Sequence, residues 1–145
     1  MEPFIIGYTT GVFDLFHVGH VNILRRAKEK CDYLIVGVTT DEIVEQYKGK
    51  KPIINFNDRK TIVESCKFAD KVVAQSSMDK MEAWHNLHFN VMFHGKEWQG
   101  TELYNKYEQE LKKVGVDIIY LEPTKGISTT KLIKKITHQK HGDNT

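Results

Sequence analysis

Two histidines three residues apart, His17 and His20, are the side chains best placed in this sequence for chemistry on an anion. They follow a short apolar run and stand where a helical pattern begins, with Gly19 between them. On a helix, residues i and i+3 share a face, so both imidazoles can project the same way from the first turn. The first-turn N–H groups lie at the positive end of the helix dipole, and a glycine allows a bulky anion to approach the backbone. We therefore expect a phosphate site that uses imidazoles where a P-loop uses lysine.

Two other interpretations of this region have less support. Zinc needs a third ligand, but Cys31 lies a helix length away, and His94 is the only other histidine in a loop on the expected functional side. No dinucleotide-binding glycine pattern follows the first apolar run, and the stretch 95–101 has the glycine spacing of a P-loop with its lysine misplaced. We therefore expect no metal held by protein side chains alone.

The elements that position this loop are predicted by alternating strand-like and helix-like segments. Short apolar runs rich in β-branched and aromatic residues, typical of buried parallel strands, cover 4–8, 33–38, 71–74, 90–93 and 116–121. Helical periodicity or capping predicts helices over 18–30, 57–67, 78–87, 101–114 and 128–136. This alternation predicts an α/β, Rossmann-like single domain over residues 1–136, with a five-stranded parallel sheet flanked by helices. A polar C-terminal tail is expected over 137–145.

Ligands of such sheets bind beyond the carboxyl ends of the strands. The loops to consider are therefore 9–20, 39–56, 94–100 and 122–130. The stretch 46–52 is expected to be a charged loop, because it carries Lys48, Lys50 and Lys51 close together.

Composition restricts the functional classes. The chain has 145 residues, 40% of them hydrophobic, and a formal net charge of +2, which is too small for a protein that coats nucleic acid or an anionic membrane. No apolar run reaches the roughly 18 residues of a membrane span, and the N-terminus does not resemble a signal peptide. Cys31 and Cys66 fit no disulfide or metal spacing and predict free thiols. We expect a soluble, cytoplasmic protein that binds neither nucleic acid nor membranes.

At this point the motifs resemble a known family. The segment 11–20, which ends in His17-Val18-Gly19-His20, resembles the HxGH signature of the nucleotidyltransferase superfamily. The segment 126–130 resembles the second signature of its cytidylyltransferase branch, which includes glycerol-3-phosphate, ethanolamine-phosphate and choline-phosphate cytidylyltransferases. Lys48-Gly49 and Asp58-Arg59 resemble the lysine loop and following arginine of that branch. The stretch 95–100 resembles a loop of the glycerol-3-phosphate members, and the short chain favours that type.

The resemblance implies an enzyme that joins CTP and a phosphorylated alcohol, with Mg²⁺ as the cofactor of CTP, to give a CDP-alcohol and pyrophosphate. It implies three catalytic residues, His17, His20 and Lys48, which would donate to or neutralise phosphate oxygens. It also implies a homodimer. The implied nucleotide-binding residues are Thr10, Gly11, Val12, Phe13, Asp14, His17, Gly19, His20, Arg59, Gly95, Glu97, Trp98, Thr124, Gly126, Ile127, Ser128, Thr129 and Thr130.

Several of these residues also have an ordinary structural explanation. Lys48 fits a solvated loop, and Arg59 fits the first turn of a helix. Asp14 fits a turn or a cap, and Trp98 fits either a hydrophobic core or the wall of a base-binding site.

The sequence departs from the family pattern at two positions of the second signature. Family members carry Arg-Thr-x-Gly-Ile-Ser-Thr, often with glutamate at x, whereas this chain has Pro123 in place of the arginine and Lys125 at x. Proline cannot donate a hydrogen bond. We expect Lys125 or Lys96 to supply the missing positive charge, and tolerated drift is the alternative.

Two other functions remain open at the level of sequence. An adenylyltransferase of the same fold would use ATP, although the segment 126–130 argues for CTP. A non-catalytic nucleotide-binding module would explain the missing arginine at Pro123.

Overall fold

Five parallel strands form the centre of the protein, as the apolar runs predict. A computed structural model describes residues 3–142. The strands are β1 Ile6–Gly11, β2 Tyr33–Thr39, β3 Lys71–Gln75, β4 Val91–Gly95 and β5 Asp117–Leu121. The helices are α1 Val18–Lys28, α2 Asp41–Lys48, α3 Phe56–Glu64, α4 Lys80–Leu87, α5 Glu102–Lys112 and α6 Thr129–Gly142, and a 3-10 turn covers Lys96–Trp98.

The strand order places a crevice beside the first strand. All five strands are parallel, in the order β3-β2-β1-β4-β5, so successive strands run outward from β1 in one direction and then in the other. In such a sheet the connections after the two central strands leave on opposite faces, and a ligand crevice opens at their carboxyl ends. Here that crevice lies between the ends of β1 and β4, where Thr9 pairs with Phe93. The α/β, Rossmann-like prediction is therefore confirmed.

Two hydrophobic clusters cover the two faces of the sheet. On one face Leu24 and Ala27 of α1 pack with Leu34 and Val36 of β2, and all four are fully buried. On the other face, aromatic residues from the sheet, α5 and the segment before β4 form the second cluster, which includes Tyr8, Phe89, Tyr104 and Tyr107. Burying a large apolar side chain contributes about 1.5–3 kcal/mol, so these clusters hold the strand ends that carry the site.

The expected loop 39–56 contains a helix, so that prediction is wrong for α2. Thr40 is its N-cap, and its hydroxyl accepts a hydrogen bond from Ile43 N–H. Gly49 ends the helix in a left-handed conformation, with φ of 76°. An acidic first turn and a glycine after the last turn are standard helix signals, and they were present in the sequence.

The polar tail is also more ordered than predicted. Helix α6 extends beyond the predicted 128–136 to Gly142, so residues 137–142 of the expected polar tail are helical, and residues 143–145 lie outside the described part of the chain. Within residues 3–142 no helix is both long enough and apolar enough to cross a membrane.

Candidate active site

The two histidines form the N-terminal cap of α1. His17 is the N-cap residue, and its Nδ1 accepts a hydrogen bond from Gly19 N–H at 3.0 Å. His20 Nδ1 accepts from His17 N–H at 3.1 Å, so the two imidazoles complete a reciprocal capping box. The rings stack with centroids 3.9 Å apart. A β-carbon at position 19 would lie 2.7 Å from His17 Cε1, which explains the glycine.

This cap changes the expected chemistry of the helix terminus. The N–H groups of Gly19 and His20 are occupied by His17 Nδ1 and the His17 carbonyl, so the expectation that first-turn N–H groups bind the anion is wrong for these two. Because both Nδ1 atoms accept hydrogen bonds, each neutral ring carries its proton on Nε2. The protein thus presents two Nε2–H donors in place of backbone donors.

Burial keeps both imidazoles neutral. Desolvation lowers the pKa of His17. Desolvation and the neighbouring His17 lower the pKa of His20 to about 4, while Asp14 opposes the shift. At neutral pH the two rings are therefore hydrogen-bond donors without a formal charge.

The loop before α1 is held in an unusual backbone conformation. Phe13 and Leu15 have φ of 55° and 51°, a left-handed conformation that non-glycine residues rarely adopt. Between them, the Asp14 carboxylate accepts hydrogen bonds from Ile53 N–H at 2.8 Å and Ile54 N–H at 2.9 Å. Asp14 thus joins this loop to the segment after the lysine-rich stretch. Such strain is maintained only where surrounding contacts enforce it.

Arg59 acts as a second clamp on the same loop. Its side chain is 0% exposed, and it donates hydrogen bonds to the Ile54 carbonyl, the Val12 carbonyl and Asp41 Oδ1 at 2.8, 2.6 and 2.7 Å. Burial alone would raise the pKa of Asp41, but the hydrogen bond from Arg59 lowers it below its ordinary value. The prediction that Arg59 contacts the nucleotide is not supported by this geometry, because its guanidinium is enclosed by protein groups.

The second signature reaches the same loop from the end of the chain. The hydroxyl of Thr129, the first residue of α6, donates a hydrogen bond to the Asp14 carbonyl at 2.8 Å. The Ser128 hydroxyl accepts from Lys131 N–H at 3.1 Å, and Ile127 Cγ2 lies 3.4 Å from the position of a β-carbon on Gly19. The two signature segments, more than 100 residues apart in sequence, therefore meet at α1.

A cleft of about 450 Å³ lies between these elements. The predicted residues that line it are Val12, Phe13, Asp14, His20, Lys48, Thr129 and Thr130. Lys48 is the last residue of α2, and Lys50 and Lys51 follow it along the cleft wall. A cavity bordered by three lysines, an imidazole and a helix N-terminus is suited to a polyphosphate.

The remaining predicted residues lie around this cleft. Thr10, Gly11, His17 and Gly19 belong to β1 or to the cap of α1. Gly95, Glu97 and Trp98 lie at the end of β4 and in the 3-10 turn, with Trp98 41% exposed. Thr124, Gly126, Ile127 and Ser128 connect β5 to α6, and Thr124 Oγ1 accepts from Asn22 at 2.8 Å.

Of the two lysines expected to replace the family arginine, one already forms an ion pair within the protein. Lys96 Nζ lies 2.7 Å from Glu122 Oε1, next to Pro123, while Lys125 is exposed. Arg26 also donates to the Glu122 carbonyl from α1. Sequence reasoning missed Arg26, because only the fold brings it to this loop.

A second residue missed from the sequence is Lys80, the first residue of α4, whose side chain is 1% exposed. Its Nζ donates to Thr10 Oγ1 at 3.2 Å. Nothing in the local sequence distinguishes it from the other lysines.

Comparisons with known proteins identify the family of this chain. A sequence model of the family described as cytidylyltransferase-like matches residues 8–135. Glycerol-3-phosphate cytidylyltransferase of Staphylococcus aureus is 36% identical over 88% of this chain and 92% of its own length. Ethanolamine-phosphate cytidylyltransferase of Dictyostelium discoideum is 39% identical over 89% of this chain and 37% of its own length.

Solved structures support the fold. The lipopolysaccharide core biosynthesis protein from Thermoplasma volcanium GSS1 superimposes with a TM-score of 0.71 at 25% identity, covering 86% of this chain and 100% of that one. Pantoate-beta-alanine ligase from Francisella tularensis shares the fold at 12% identity, with a TM-score of 0.59 over 91% of this chain and 69% of that one. Since the family match spans most of the sequence and includes both signature segments, the chain belongs to the cytidylyltransferase-like family.

Proposed function

We propose that this protein transfers CMP from CTP to a phosphorylated alcohol, giving a CDP-alcohol and pyrophosphate. The observation that carries the proposal is the neutral pair of Nε2–H donors of His17 and His20 beside a lysine-lined cleft. The names of relatives that align along most of their length point to the same reaction. Glycerol 3-phosphate is the acceptor we expect first.

The site suits an in-line displacement at phosphorus. The acceptor phosphate is already an anion, so its oxygen attacks the α-phosphorus of CTP without a strong base, and pyrophosphate leaves as the P–O bond to the β-phosphate breaks. Rate acceleration then comes from positioning and from donors aimed at the developing negative charge. We assign this donor role to His17 and His20. Burial lowers the pKa of both histidines, that of His20 to about 4, so both rings are neutral donors at pH 7.

The lysines and α6 would hold the leaving group. Lys48 lies at the end of α2, with Lys50 and Lys51 directly behind it. Three ammonium groups along the cleft would neutralise the pyrophosphate as its charge increases. Thr129 and Thr130 line the same cleft at the N-terminus of α6, where the dipole favours an anion.

The cytosine and ribose would occupy the carboxyl ends of β4 and β5. Trp98 projects there with 41% exposure, and its ring is 5.8 Å from that of His94 and 5.5 Å from that of Tyr104. An exposed tryptophan supported by two other rings offers a flat face to a base. We propose that Gly95, Glu97, Trp98, Thr124 and the segment 126–128 form this part of the nucleotide site.

Magnesium would enter with the nucleotide. The part of the chain that the structure describes contains no group of three or more His, Cys, Asp or Glu residues arranged to hold a metal ion. The Asp14 carboxylate is already used by backbone N–H groups. Mg²⁺ is commonly held through substrate phosphates and water. We therefore propose that it is carried by CTP, with activity lost on chelation and restored by added Mg²⁺.

One experiment tests the function against both alternatives. A panel of phospho-alcohols that includes glycerol 3-phosphate is incubated with CTP or ATP and Mg²⁺, and pyrophosphate release is measured. The proposal requires turnover with CTP and at least one phospho-alcohol. Preference for ATP would indicate an adenylyltransferase, and CTP binding by calorimetry without any turnover would indicate a non-catalytic module.

We also propose that the protein works as a cytoplasmic homodimer. Cys31 and Cys66 are both free thiols, as expected in a reducing compartment. An open surface cleft between α3 and α6 is bordered by apolar residues, namely Leu15, Phe16, Ile62, Leu132 and Ile136. The Ile136 side chain is 60% exposed. Such surfaces are typical of subunit contacts. Light scattering that gives a monomer mass at working concentration would refute the dimer.

A further inference from the structure

A chain of hydrogen-bonded side chains runs from α1 to the loop after β5. Asn22 Nδ2 donates to Thr124 Oγ1 at 2.8 Å, and Arg25 Nη2 donates to Asn22 Oδ1 at 3.1 Å. Glu29 lies 3.7 Å from the Arg25 guanidinium at the next turn of the helix. Asn22 and Arg25 belong to the helix whose N-terminal cap contains the two histidines. These bonds therefore join that helix to the loop at which we place the base of the nucleotide.

Arg25 fixes the direction of the hydrogen bonds in this chain. A guanidinium can only donate, so the Asn22 oxygen faces Arg25 and the Asn22 amide nitrogen faces Thr124. The Thr124 oxygen is therefore an acceptor toward α1. Its single O–H group has to point elsewhere. Thr124 thus presents a hydrogen-bond donor on the side away from Asn22.

The loop that carries Thr124 is held so that this donor stays free. Among the residues whose side chains the structure describes, the hydrogen bond accepted from Asn22 is the only one made by the Thr124 hydroxyl. Arg26, one turn after Asn22, donates to the Glu122 carbonyl. Thr124 is half-buried, whereas both of its neighbours in sequence are exposed. The loop is thus fixed to α1 at two points, and the Thr124 O–H remains available to a ligand.

We propose that Arg25 and Asn22 are positioning residues for the choice of base, because they direct the Thr124 O–H toward N3 of cytosine. Cytosine and uracil differ at this atom, since N3 of cytosine is an acceptor and N3 of uracil carries a proton and is a donor. A fixed O–H forms a hydrogen bond with cytosine N3 and meets a second donor in uracil. A donor left unpaired in this way disfavours the wrong base. This inference rests on the proposed function, because it concerns which base the CTP site admits.

Asn22→Asp tests the inference, because it reverses the hydrogen bonds with almost no change of shape. A carboxylate only accepts, so the Thr124 O–H turns toward α1 and its lone pairs face the base. The kcat/KM for CTP divided by that for UTP should fall about 10- to 100-fold, as expected when one hydrogen bond becomes a repulsive contact. Both nucleotides carry the same triphosphate, so the added negative charge affects both alike and cancels in this CTP-to-UTP ratio.

Three further substitutions complete the kinetic test. Thr124→Val removes the hydroxyl and should lower the CTP-to-UTP ratio about 10-fold. Its combination with Asn22→Asp should give the ratio of Thr124→Val alone, because no hydroxyl is left to turn. Arg25→Met, at an exposed position, allows the Asn22 amide to turn over and should lower the ratio about threefold. Asn86→Asp, at an exposed position of α4, makes the same chemical change away from the loop and should match the wild type.

Folding is measured in parallel by thermal melting. Asn22→Asp should melt no lower than the wild type, because its carboxylate faces Arg25 at i+3 on the same helix. Side chains that served only the fold would change the melting temperature and leave the CTP-to-UTP ratio as it is, which would overturn the inference. A ratio in the double variant below that of Thr124→Val alone would also overturn it. Should Asn22→Asp fail to fold, an unchanged ratio in Arg25→Met would overturn it.

A binding measurement separates this inference from the proposed function. Calorimetry with CTP and with UTP compares their Kd values in the wild type, Asn22→Asp and Asn86→Asp without requiring turnover. A preference for CTP that is lost only in Asn22→Asp, in a protein without turnover, would refute the proposed function and keep the role in base choice. Turnover with CTP and a phospho-alcohol, combined with an unchanged CTP-to-UTP ratio in Asn22→Asp, would refute that role and keep the function.

Discussion

Mild acid should destabilise this protein before its carboxylates titrate, because burial in the folded state strongly lowers the pKa of His20 and of His94. Folding lowers the pKa of His20 to about 4 and that of His94 to about 3, from about 6.5 in the unfolded chain. Between the folded and unfolded values the unfolded state binds more protons, so stability rises with pH. The stability that each neutral histidine contributes is complete above its pKa in the unfolded chain. It is lost as the pH falls toward its pKa in the folded protein.

The size of the effect follows from these values. Taking the pH from about 7.5 to about 5 should lower the free energy of unfolding by up to about 2 kcal/mol for each of the two histidines. Protonation also removes the Nδ1 lone pair of His20 that accepts from His17 N–H, so the cap of α1 opens. Asp41 and Asp70 have lowered pKa values, and their contributions are lost only at lower pH.

Urea unfolding at about pH 7.5, 6 and 5 measures this loss. His20→Gln keeps a capping-box side chain that does not titrate, and His94→Phe keeps a ring that can stack on Tyr104. Each should remove about half of the acid sensitivity, whereas His85→Gln, at an exposed position, should leave it intact. A wild-type free energy of unfolding that is the same at about pH 7.5 and pH 5 would refute the reasoning. So would a free energy of unfolding that depends on pH as steeply in His20→Gln as in the wild type.

Three further predictions concern activity and stability. His17→Ala and His20→Ala should each reduce kcat about 100-fold or more, as expected when one preorganised donor is lost; a mild effect in stopped-flow assays would make them structural. Arg59→Met should lower the free energy of unfolding by about 3 kcal/mol, because it leaves Asp41 and two carbonyls without their donor; an unchanged urea midpoint would contradict the clamp. Lys125→Ala should raise the CTP KM more than Lys96→Ala, whose ammonium is engaged by Glu122; unchanged constants in both would mean that neither replaces the family arginine.

The framework of the fold was predictable because each buried strand is a short apolar run that can be recognised in the local sequence. All five apolar runs become strands of one sheet, with no boundary shifted by more than three residues. Helix α2 was missed because charged residues around Lys48 dominated the interpretation of 39–56. The Thr40 cap, the acidic turn at Asp41 and the terminating Gly49 were the signals that outweighed them.

The site was predictable in its motifs but not in its hydrogen bonds. The proximity of the two signature segments follows from both lying at carboxyl ends of strands, as the Thr129–Asp14 contact shows. The enclosure of Arg59 involves its contact with Val12, 47 residues away in sequence. The burial of Lys80 involves its contact with Thr10, 70 residues away. No local pattern encodes such contacts, so only the packed structure separates these residues from exposed basic residues.

The long-range contacts that hold the loop at Asp14 determine when the site can form during synthesis of the chain. The loop is held by Ile53 from 39 residues away, by Arg59 through Val12 from 47 residues away and by Thr129 from 115 residues away. On a ribosome, the first histidine motif is therefore synthesised long before the segment that completes its support. The left-handed residues Phe13 and Leu15 lack the Thr129 contact that completes the support of their loop until α6 docks. Catalytic competence should consequently arise only after α6 has been synthesised, and the nascent chain would remain inactive until that helix is in place.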